Sequence, residues 1–371
     1  MIYLDNAATT PMSAEVLEAM LPYLTDKFGN PSASYALGRM ARETVERSRS
    51  VIAECIGAEP DEIIFTSGGT EADNIAINGY MKTHYCPCLT SGIEHKAVQA
   101  NAAYVFRCDG TGIVDADEVR SALTQYYNGG KRSWLASVIA VNNETGVRQP
   151  IEEISRAVHE VDYVFHTDAV QGFGHVPINV REMGIDMMSV SAHKINGPKG
   201  VGFLYKRKNI KIARSFNGGG QEFGLRPGTE NVAGIVGLAK AVEIATSNIK
   251  KVNLGWFEDM LIESGAIING VSCHDDPYKR IINCRFDDIH NGTLLQGLSD
   301  VGIYVSAGSA CNSDSAEPSH VLKAMGLSDE ECNKSIRIST DGNLSNEDAQ
   351  TVVNEINRIR KEAKEVRDFA L

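Results

Sequence analysis

The chain has 371 residues, a length that suggests two or three domains and allows a large buried core. Its formal net charge of -12 at pH 7 has the wrong sign for a protein that binds nucleic acid by neutralising phosphates. No apolar run approaches the roughly 20 residues that span a bilayer, and the first residues lack the pattern of a signal peptide. We therefore expect a cytoplasmic protein with no membrane segment and no stable nucleic-acid binding.

Short apolar runs alternate with helical stretches over about the first 245 residues. Buried strands are predicted at 62–65, 135–141, 163–165 and 187–190, and helices at 36–55, 71–82 and 151–160. This repetition of strand, loop and helix favours an α/β domain with a mainly parallel sheet flanked by helices. In such sheets, ligands bind at the carboxyl ends of the strands.

The pattern changes after a long predicted helix at 231–248. The remaining residues contain a helix, several short strands, a loop rich in glycine and serine, and a charged helix that begins near Asn346. We therefore predict a large domain over 15–245. A smaller α+β domain is predicted over 246–371, together with the N-terminal segment 1–14.

Lys194 follows the predicted strand 187–190 and precedes a Gly/Pro turn at 197–198. A lysine at a poorly hydrated strand end has a lowered pKa, which makes its amine nucleophilic enough to form a Schiff base. Ser191 and His193 could lie on the same side of this stretch. The alternative is a surface lysine after a strand, since most lysines are exposed.

Asp168 ends the predicted strand that begins at Tyr163, and Gln171 follows three residues later. A pyridoxal cofactor needs a carboxylate that keeps its ring nitrogen protonated, because the positive charge makes the ring an electron sink. An acid at this position could equally cap a helix. The pairing with Lys194 favours the first interpretation.

Two further loops follow predicted strands. Gly68, Gly69 and Thr70 open a helix, where glycine allows a phosphate to approach the backbone and free amides attract its charge. A plain turn is the alternative. His95 could stack on a cofactor ring and transfer protons near neutral pH, or it could be a structural histidine.

Two residues stand out near the C-terminal end. Cys311 lies in a run of small residues at 306–315, which predicts a mobile loop that presents a reactive thiol, although cysteine is more often buried. Arg337 lies in a strand-like stretch at 334–339 and has a fork that suits a carboxylate, with a surface salt bridge as the alternative. The cysteines at 86 and 88 have no second Cys or His pair at zinc spacing, so we expect no metal site.

The order of these motifs resembles that of the cysteine desulfurases, and the similarity covers nearly the whole chain. The matching segments are 3–11, 29–32, 66–74, 94–98, 141–146, 168–171, 191–194, 218–222, 228–231, 308–311 and 317–320. The resemblance implies a pyridoxal-5'-phosphate enzyme of the class V aminotransferase type, which has the fold-type I architecture. It also implies a homodimer that converts L-cysteine to L-alanine.

The same resemblance implies a role for each matching residue. Lys194 would hold the cofactor covalently and carry a proton, while Cys311 would attack the substrate sulfur. The other implied cofactor-binding residues are Asp168 at the ring nitrogen, Gln171 at the ring hydroxyl, His95 on the ring with a catalytic role, Gly69, Thr70, Ser191 and His193 near the phosphate, and the partner subunit's Thr229. Asn143 and Arg337 would bind the substrate carboxylate.

The segment 308–311 resembles the subgroup with a long catalytic loop. That subgroup passes sulfur as a persulfide to scaffold or carrier proteins for iron–sulfur cluster assembly or tRNA thiolation. A selenocysteine lyase or another class V aminotransferase is the alternative, but simple transamination has no use for the Cys311 thiol. An inactive scaffold protein is a third possibility, against which the joint presence of Lys194, Asp168, His95 and Cys311 argues.

Overall fold

The computed structural model describes residues 1–126, 134–247, 249–308 and 317–369. The helices are α1 (Ala14–Leu24), α2 (Ala36–Ile56), α3 (Gly69–His84), α4 (Lys96–Gln99), α5 (Ala116–Tyr126), α6 (Ile151–His159), α7 (Val232–Ser247), α8 (Gly255–Glu263), α9 (Asn291–Asp300), α10 (His320–Ala324), α11 (Asp329–Cys332) and α12 (Asn346–Phe369). Within these ranges, no helix combines the length and the apolar character that a membrane span requires.

The strands form one large sheet and two small ones. They are β1 (Ile2–Tyr3), β2 (Ile63–Thr66), β3 (Cys88–Ser91), β4 (Ala102–Phe106), β5 (Leu135–Ser137), β6 (Val164–Asp168), β7 (Met187–Ser191), β8 (Gly202–Lys206), β9 (Ile267–Ile268), β10 (Ile281–Arg285), β11 (Ile303–Tyr304) and β12 (Ser335–Ser339). The large sheet has the order β2-β8-β7-β6-β5-β3-β4, and the small sheets have the orders β12-β10-β9 and β1-β11.

The large sheet is mainly parallel. The neighbours from β7 through β6, β5 and β3 to β4 run parallel, whereas β8 runs antiparallel to both β7 and β2. Every residue of β6 and β7 is buried, as expected for strands covered by helices on both faces. The predicted α/β fold with a mainly parallel sheet is therefore confirmed.

The described residues form three clusters of buried hydrophobic side chains, two of them on the large sheet. Helices α1, α2 and α7 pack together beside the large sheet, whose core includes Phe165, Phe203 and Val190. A second core surrounds β10 and β12 and includes Phe257 and Phe286. Leu4 belongs to this second core, so the N-terminal segment packs with the later part of the chain. The two-domain division at 245/246 stays a prediction.

The predicted strand 135–141 is wrong in its extent, because the regular ladder of β5 ends at Ser137. The backbone amides of Val138 and Ala140 still donate to the carbonyls of His166 and Asp168, at 3.2 and 2.8 Å. The chain therefore stays beside β6 without regular pairing. The residues that follow leave the sheet, and Asn143 among them lines the cavity described below.

The ends of three strands meet at one edge of the large sheet. Asp168, the last residue of β6, lies opposite Ser189 of β7, and Ser191 at the end of β7 lies opposite Gly202. Gly202 is also paired with Thr66, the last residue of β2. The loops that follow β2, β6 and β7 therefore converge, as the sequence predicts for a ligand site at the strand ends.

Candidate active site

A cavity of about 180 Å³ lies at this edge of the large sheet. Its walls include ten of the residues that the sequence singles out: Gly69, Thr70, His95, Asn143, Asp168, Gln171, Ser191, His193, Lys194 and Arg337. Thr229 is exposed and does not line this cavity. Cys311 lies outside the described residues.

Lys194 is on a short 3₁₀ turn (Ala192–Lys194) that follows β7 directly. Its side chain is half-buried in the cavity, and Nζ donates to the carbonyl oxygens of Ala7 and, at 2.8 Å, Ala8. A ring nitrogen of His175 lies 3.1 Å from the backbone oxygen of Lys194, within hydrogen-bonding distance of the turn. The structure therefore places this amine inside the cavity rather than on an open surface.

Asp168 and Gln171 lie on the turn after β6. Asp168 is 3% exposed, and its Oδ1 accepts a hydrogen bond from the Val170 amide at 2.9 Å. Burial raises the pKa of Asp168, while the neighbouring His95 and Lys194 oppose that shift. A buried carboxylate in this setting favours a cationic partner, such as a protonated ring nitrogen.

His95 precedes α4 and caps it. Its Nδ1 accepts a hydrogen bond from the Ala97 amide at 3.2 Å, so a neutral ring carries its proton on Nε2. One of its ring nitrogens lies within 4.8 Å of carboxylate oxygens of both Asp168 and Asp73. The ring therefore lies at the cavity with its orientation set by a backbone contact.

The start of α3 lines the cavity, and packing requires a glycine at position 69. A Cβ at Gly69 would lie 2.5 Å from Cγ2 of Val170, so a larger residue would push α3 away from the turn after β6. Thr70 and Ser191 contribute hydroxyl groups to the same walls. The free amides at the N-terminus of this 16-residue helix attract anions.

His193 lines the cavity together with Ser191. Its Nδ1 lies 3.1 Å from Oγ1 of Thr9. Burial, together with the charges of Lys194 and Lys199, lowers the pKa of His193 to about 4, so the ring is neutral at pH 7. The hydroxyls, the helix start and this ring form a donor set that fits a phosphate group.

Arg337 also lines the cavity. It is on β12 and only 1% exposed, so the surface salt bridge considered from the sequence is wrong. Nη2 donates to Oδ1 of Asp5 at 2.6 Å, and Nη1 donates to the carbonyl oxygen of Asn143 at 2.9 Å. Within the described part of the chain, Arg337 Nε and Asn143 Oδ1 have no hydrogen-bond partner. The Nε–H group of Arg337 can donate to a carboxylate, and Oδ1 of Asn143 can accept from an N–H or O–H group.

The cavity also contains Asp73, which sequence reasoning missed. Asp73 is 1% exposed, and neither of its oxygens has a hydrogen-bond partner among the described residues. Burial and the charge of Asp168 raise its pKa well above the ordinary value, and the Ser189 hydroxyl opposes part of this shift. Asp73 follows Gly69 by four residues, so the two share the inner face of α3. That spacing was the available signal.

Glu94 is a second missed acid, fully buried beside His95. Its Oε1 accepts hydrogen bonds from the Ser91 hydroxyl and, at 2.9 Å, from the Ile139 amide. Burial raises its pKa from the usual 4.5 to about 8. Glu94 therefore keeps its proton in the folded chain at neutral pH, which sets the sign of a stability effect.

The change Glu94→Gln should remove part of the pH dependence of stability. A carboxyl whose pKa rises on folding favours the folded state at low pH, and this contribution declines between about pH 4.5 and 8. Between pH 6 and 9 the free energy of unfolding should fall by about 3 kcal/mol more in the unaltered chain than in Glu94→Gln. Urea unfolding at both pH values measures this difference. Equal pH responses in the two proteins would show that Glu94 is ionised throughout.

The cavity fits the cofactor that the sequence predicts. Its walls combine neutral donors and a helix start with a buried guanidinium. The same walls contain an imidazole, an amine and a buried carboxylate. A flat ligand with a phosphate, an aldehyde and a basic ring nitrogen matches this arrangement, and pyridoxal phosphate has all three groups.

Comparisons with known proteins agree with this geometry. A family model described as aminotransferase class-V matches residues 2–352. A cysteine desulfurase IscS from Methanosarcina thermophila is 43% identical over 369 residues, which cover 95% of this chain and 90% of that protein.

Two solved structures extend the comparison. One described as a NifS-like protein matches with a TM-score of 0.87 at 33% identity, over 96% of this chain and 98% of its own. A structure of SspA in complex with cysteine matches with a TM-score of 0.79 at 36% identity, over 92% of this chain and 99% of its own. The chain therefore belongs to the cysteine desulfurases, within the aminotransferase class V family.

Proposed function

We propose that this chain removes sulfur from L-cysteine, releases L-alanine and carries the sulfur as a persulfide on Cys311. The observation that carries the proposal is the cavity in which Lys194, Asp168, His95 and Arg337 meet. Family membership supports the same reaction, because a relative of 43% identity bears the name cysteine desulfurase. A structurally similar protein also has a structure in complex with cysteine.

Pyridoxal phosphate is the proposed cofactor. Lys194 would hold it covalently, Asp168 would pair with its ring nitrogen, and Gln171 would contact the ring hydroxyl. Its phosphate would lie at the start of α3, with Gly69 and Thr70 on one side and Ser191 and His193 on the other, and His95 would lie against the ring. When bound, the cofactor supplies an electron sink that stabilises negative charge at the substrate Cα.

The substrate-side residues then have separate tasks. Arg337, whose Nε is unpartnered among the described residues, and Asn143 would bind the substrate carboxylate. Lys194 Nζ would accept the Cα proton and return a proton to the product. The Cys311 thiolate would attack the substrate sulfur, so that an S–S bond forms as the Cβ–S bond breaks. L-Cysteine and a thiol thereby become L-alanine and a persulfide, with every atom retained.

An acceptor protein would receive the persulfide sulfur, for iron–sulfur cluster assembly or tRNA thiolation. This transfer supports a cytoplasmic setting with reduced thiols. Within the described ranges the cysteines are free of disulfides, which is consistent with that setting.

We also propose a homodimer. Helix α1 and the segment after it expose large apolar side chains, with Leu21 at 49%, Leu24 at 59% and Phe28 at 70% exposure. Large apolar side chains exposed along one helix and the segment after it favour association with a partner. Thr229 is exposed and outside its own cavity, so a second copy would be needed to bring it to the phosphate end. Sedimentation equilibrium of the purified chain tests the proposal, and a monomer mass would reject it.

The decisive experiment combines a visible spectrum with a product assay. Protein loaded with pyridoxal phosphate should be yellow, and with L-cysteine and a reductant it should release alanine and sulfide in equal amounts. Amino transfer that requires a keto acid would instead support another class V aminotransferase. A colourless protein after incubation with the cofactor would reject the proposed chemistry.

A further inference from the structure

The segment 5–10, here termed the strap, crosses from the C-terminal sheet to the cavity. On one side it is tied to β12, the strand that carries Arg337. Asp5 pairs with Ser339, the Asn6 amide donates to the Ser339 carbonyl at 3.2 Å, and the Ala7 amide donates to the Ser339 hydroxyl at 2.9 Å. The start of the strap therefore has a fixed position relative to β12.

On its other side the strap contacts the residues proposed to hold the cofactor. The carbonyl oxygen of Ala7 accepts a hydrogen bond from Gln171 Nε2 at 2.7 Å, and the carbonyls of Ala7 and Ala8 both accept from Lys194 Nζ. The strap thus contacts the amine of Lys194 and, through Asp5, the guanidinium of Arg337.

Asp5 contacts Arg337 in a way that leaves one edge of the guanidinium available. Its Oδ1 binds Nη2 at 2.6 Å and the Asn143 carbonyl binds Nη1 at 2.9 Å, while Nε has no partner in the described ranges. Arg337 is 1% exposed and lines the cavity. Burying a guanidinium without a counter-charge is unfavourable, so the Asp5 carboxylate both compensates the charge and fixes the plane of the fork.

We propose that Asp5 is a positioning residue for the substrate carboxylate, which orients Arg337 so that its Nε edge faces the cavity. This inference rests on the proposed function, because it assigns Arg337 to the carboxylate of the substrate. The strap adds a geometric consequence. It holds the carboxylate-binding group at a defined position relative to Lys194 Nζ, which moves the Cα proton.

Two substitutions separate orientation from charge. Asp5→Ala removes the acceptor and frees the fork, so the KM for L-cysteine should rise about tenfold or more with a smaller change in kcat. Asp5→Asn retains an oxygen that accepts from Nη2, so its KM should stay within about threefold of the unaltered chain. If charge alone mattered, Asn would behave like Ala.

Matched controls distinguish this role from a general loss of stability. Asp276→Ala removes a buried carboxylate from Arg148, at 3.1 Å and outside the cavity, and should leave the KM unchanged. Cysteamine lacks a carboxylate, so the spectral change that it produces with the holoenzyme should show the same concentration dependence in Asp5→Ala and the unaltered chain. A parallel loss for cysteamine would overturn the orientation argument.

The results also separate this inference from the proposed function. An unaltered chain that releases no sulfide from L-cysteine would reject the function itself. An active chain whose KM is unchanged or lowered in Asp5→Ala would overturn the role of Asp5 alone. If Asp5→Ala fails to fold, Asp5→Asn still decides, because a tenfold rise in its KM contradicts retained orientation.

Discussion

Lys194→Ala should yield a protein that is colourless after desalting and lacks desulfurase activity. The amine of Lys194 lies inside the cavity between the carbonyls of the strap and the buried carboxylate of Asp168. In the proposed mechanism, its removal eliminates both the covalent attachment of the cofactor and the group that moves the Cα proton. Turnover should fall by about three orders of magnitude or more. The visible spectrum and the alanine assay measure the two effects separately.

Lys208→Ala is a suitable control for the loss of a lysine. Lys208 is exposed and forms an ion pair with Asp61 at 2.6 Å, away from the cavity. This variant should keep the colour and the activity of the unaltered chain. Retention of a visible cofactor band by Lys194→Ala through desalting and denaturation would show that another amine forms the covalent bond.

Cys311→Ser should keep the cofactor and its colour but lose sulfide and alanine release. A serine hydroxyl is a far weaker nucleophile than a thiolate at neutral pH, and it forms no persulfide. We expect activity to fall by about 10³-fold or more, with an unchanged affinity for the cofactor. Mass spectrometry after a single exposure to L-cysteine should detect one added sulfur atom on the unaltered chain and none on the variant.

The cysteines elsewhere in the chain supply the controls. Burial raises the pKa of Cys88, Cys273 and Cys332, and it raises that of Cys284 to about 12, so these thiols remain protonated at neutral pH. Cys108 is half-buried, and burial raises its pKa as well. Cys108→Ser should therefore retain full activity. Normal turnover by Cys311→Ser would remove Cys311 from the mechanism and direct attention to another thiol.

The sequence predicts the cavity best where a motif follows a strand. Asp168, Ser191 and Lys194 are each assigned from a local pattern, and parallel strands bring such ends to one edge whatever the details of packing. Local sequence patterns therefore predict most of the fold and most of the residues that line the cavity.

The remaining residues depend on contacts between distant parts of the chain. Asp5 and Arg337 are 332 positions apart, and no local pattern indicates that they form an ion pair. Asp73 and Glu94 sit beside recognisable motifs, but their raised pKa values arise from burial by several elements together. β5 likewise ends at Ser137, earlier than predicted. Residues 138–140 fit the sequence pattern of a strand, so tertiary packing sets the end of β5.

The pairing of β1 with β11, and of the strap with β12, has a consequence for biosynthesis. Residues 2–5 pair with strands that are translated about 300 residues after them, so these contacts cannot form before the later strands are made. The large sheet draws its strands from 63–206 and can assemble earlier, whereas the wall that contains Asp5 and Arg337 closes only after β12 emerges. A nascent chain can thus form the cavity wall that contains Asp168 and Lys194 before Asp5 and Arg337 come into contact.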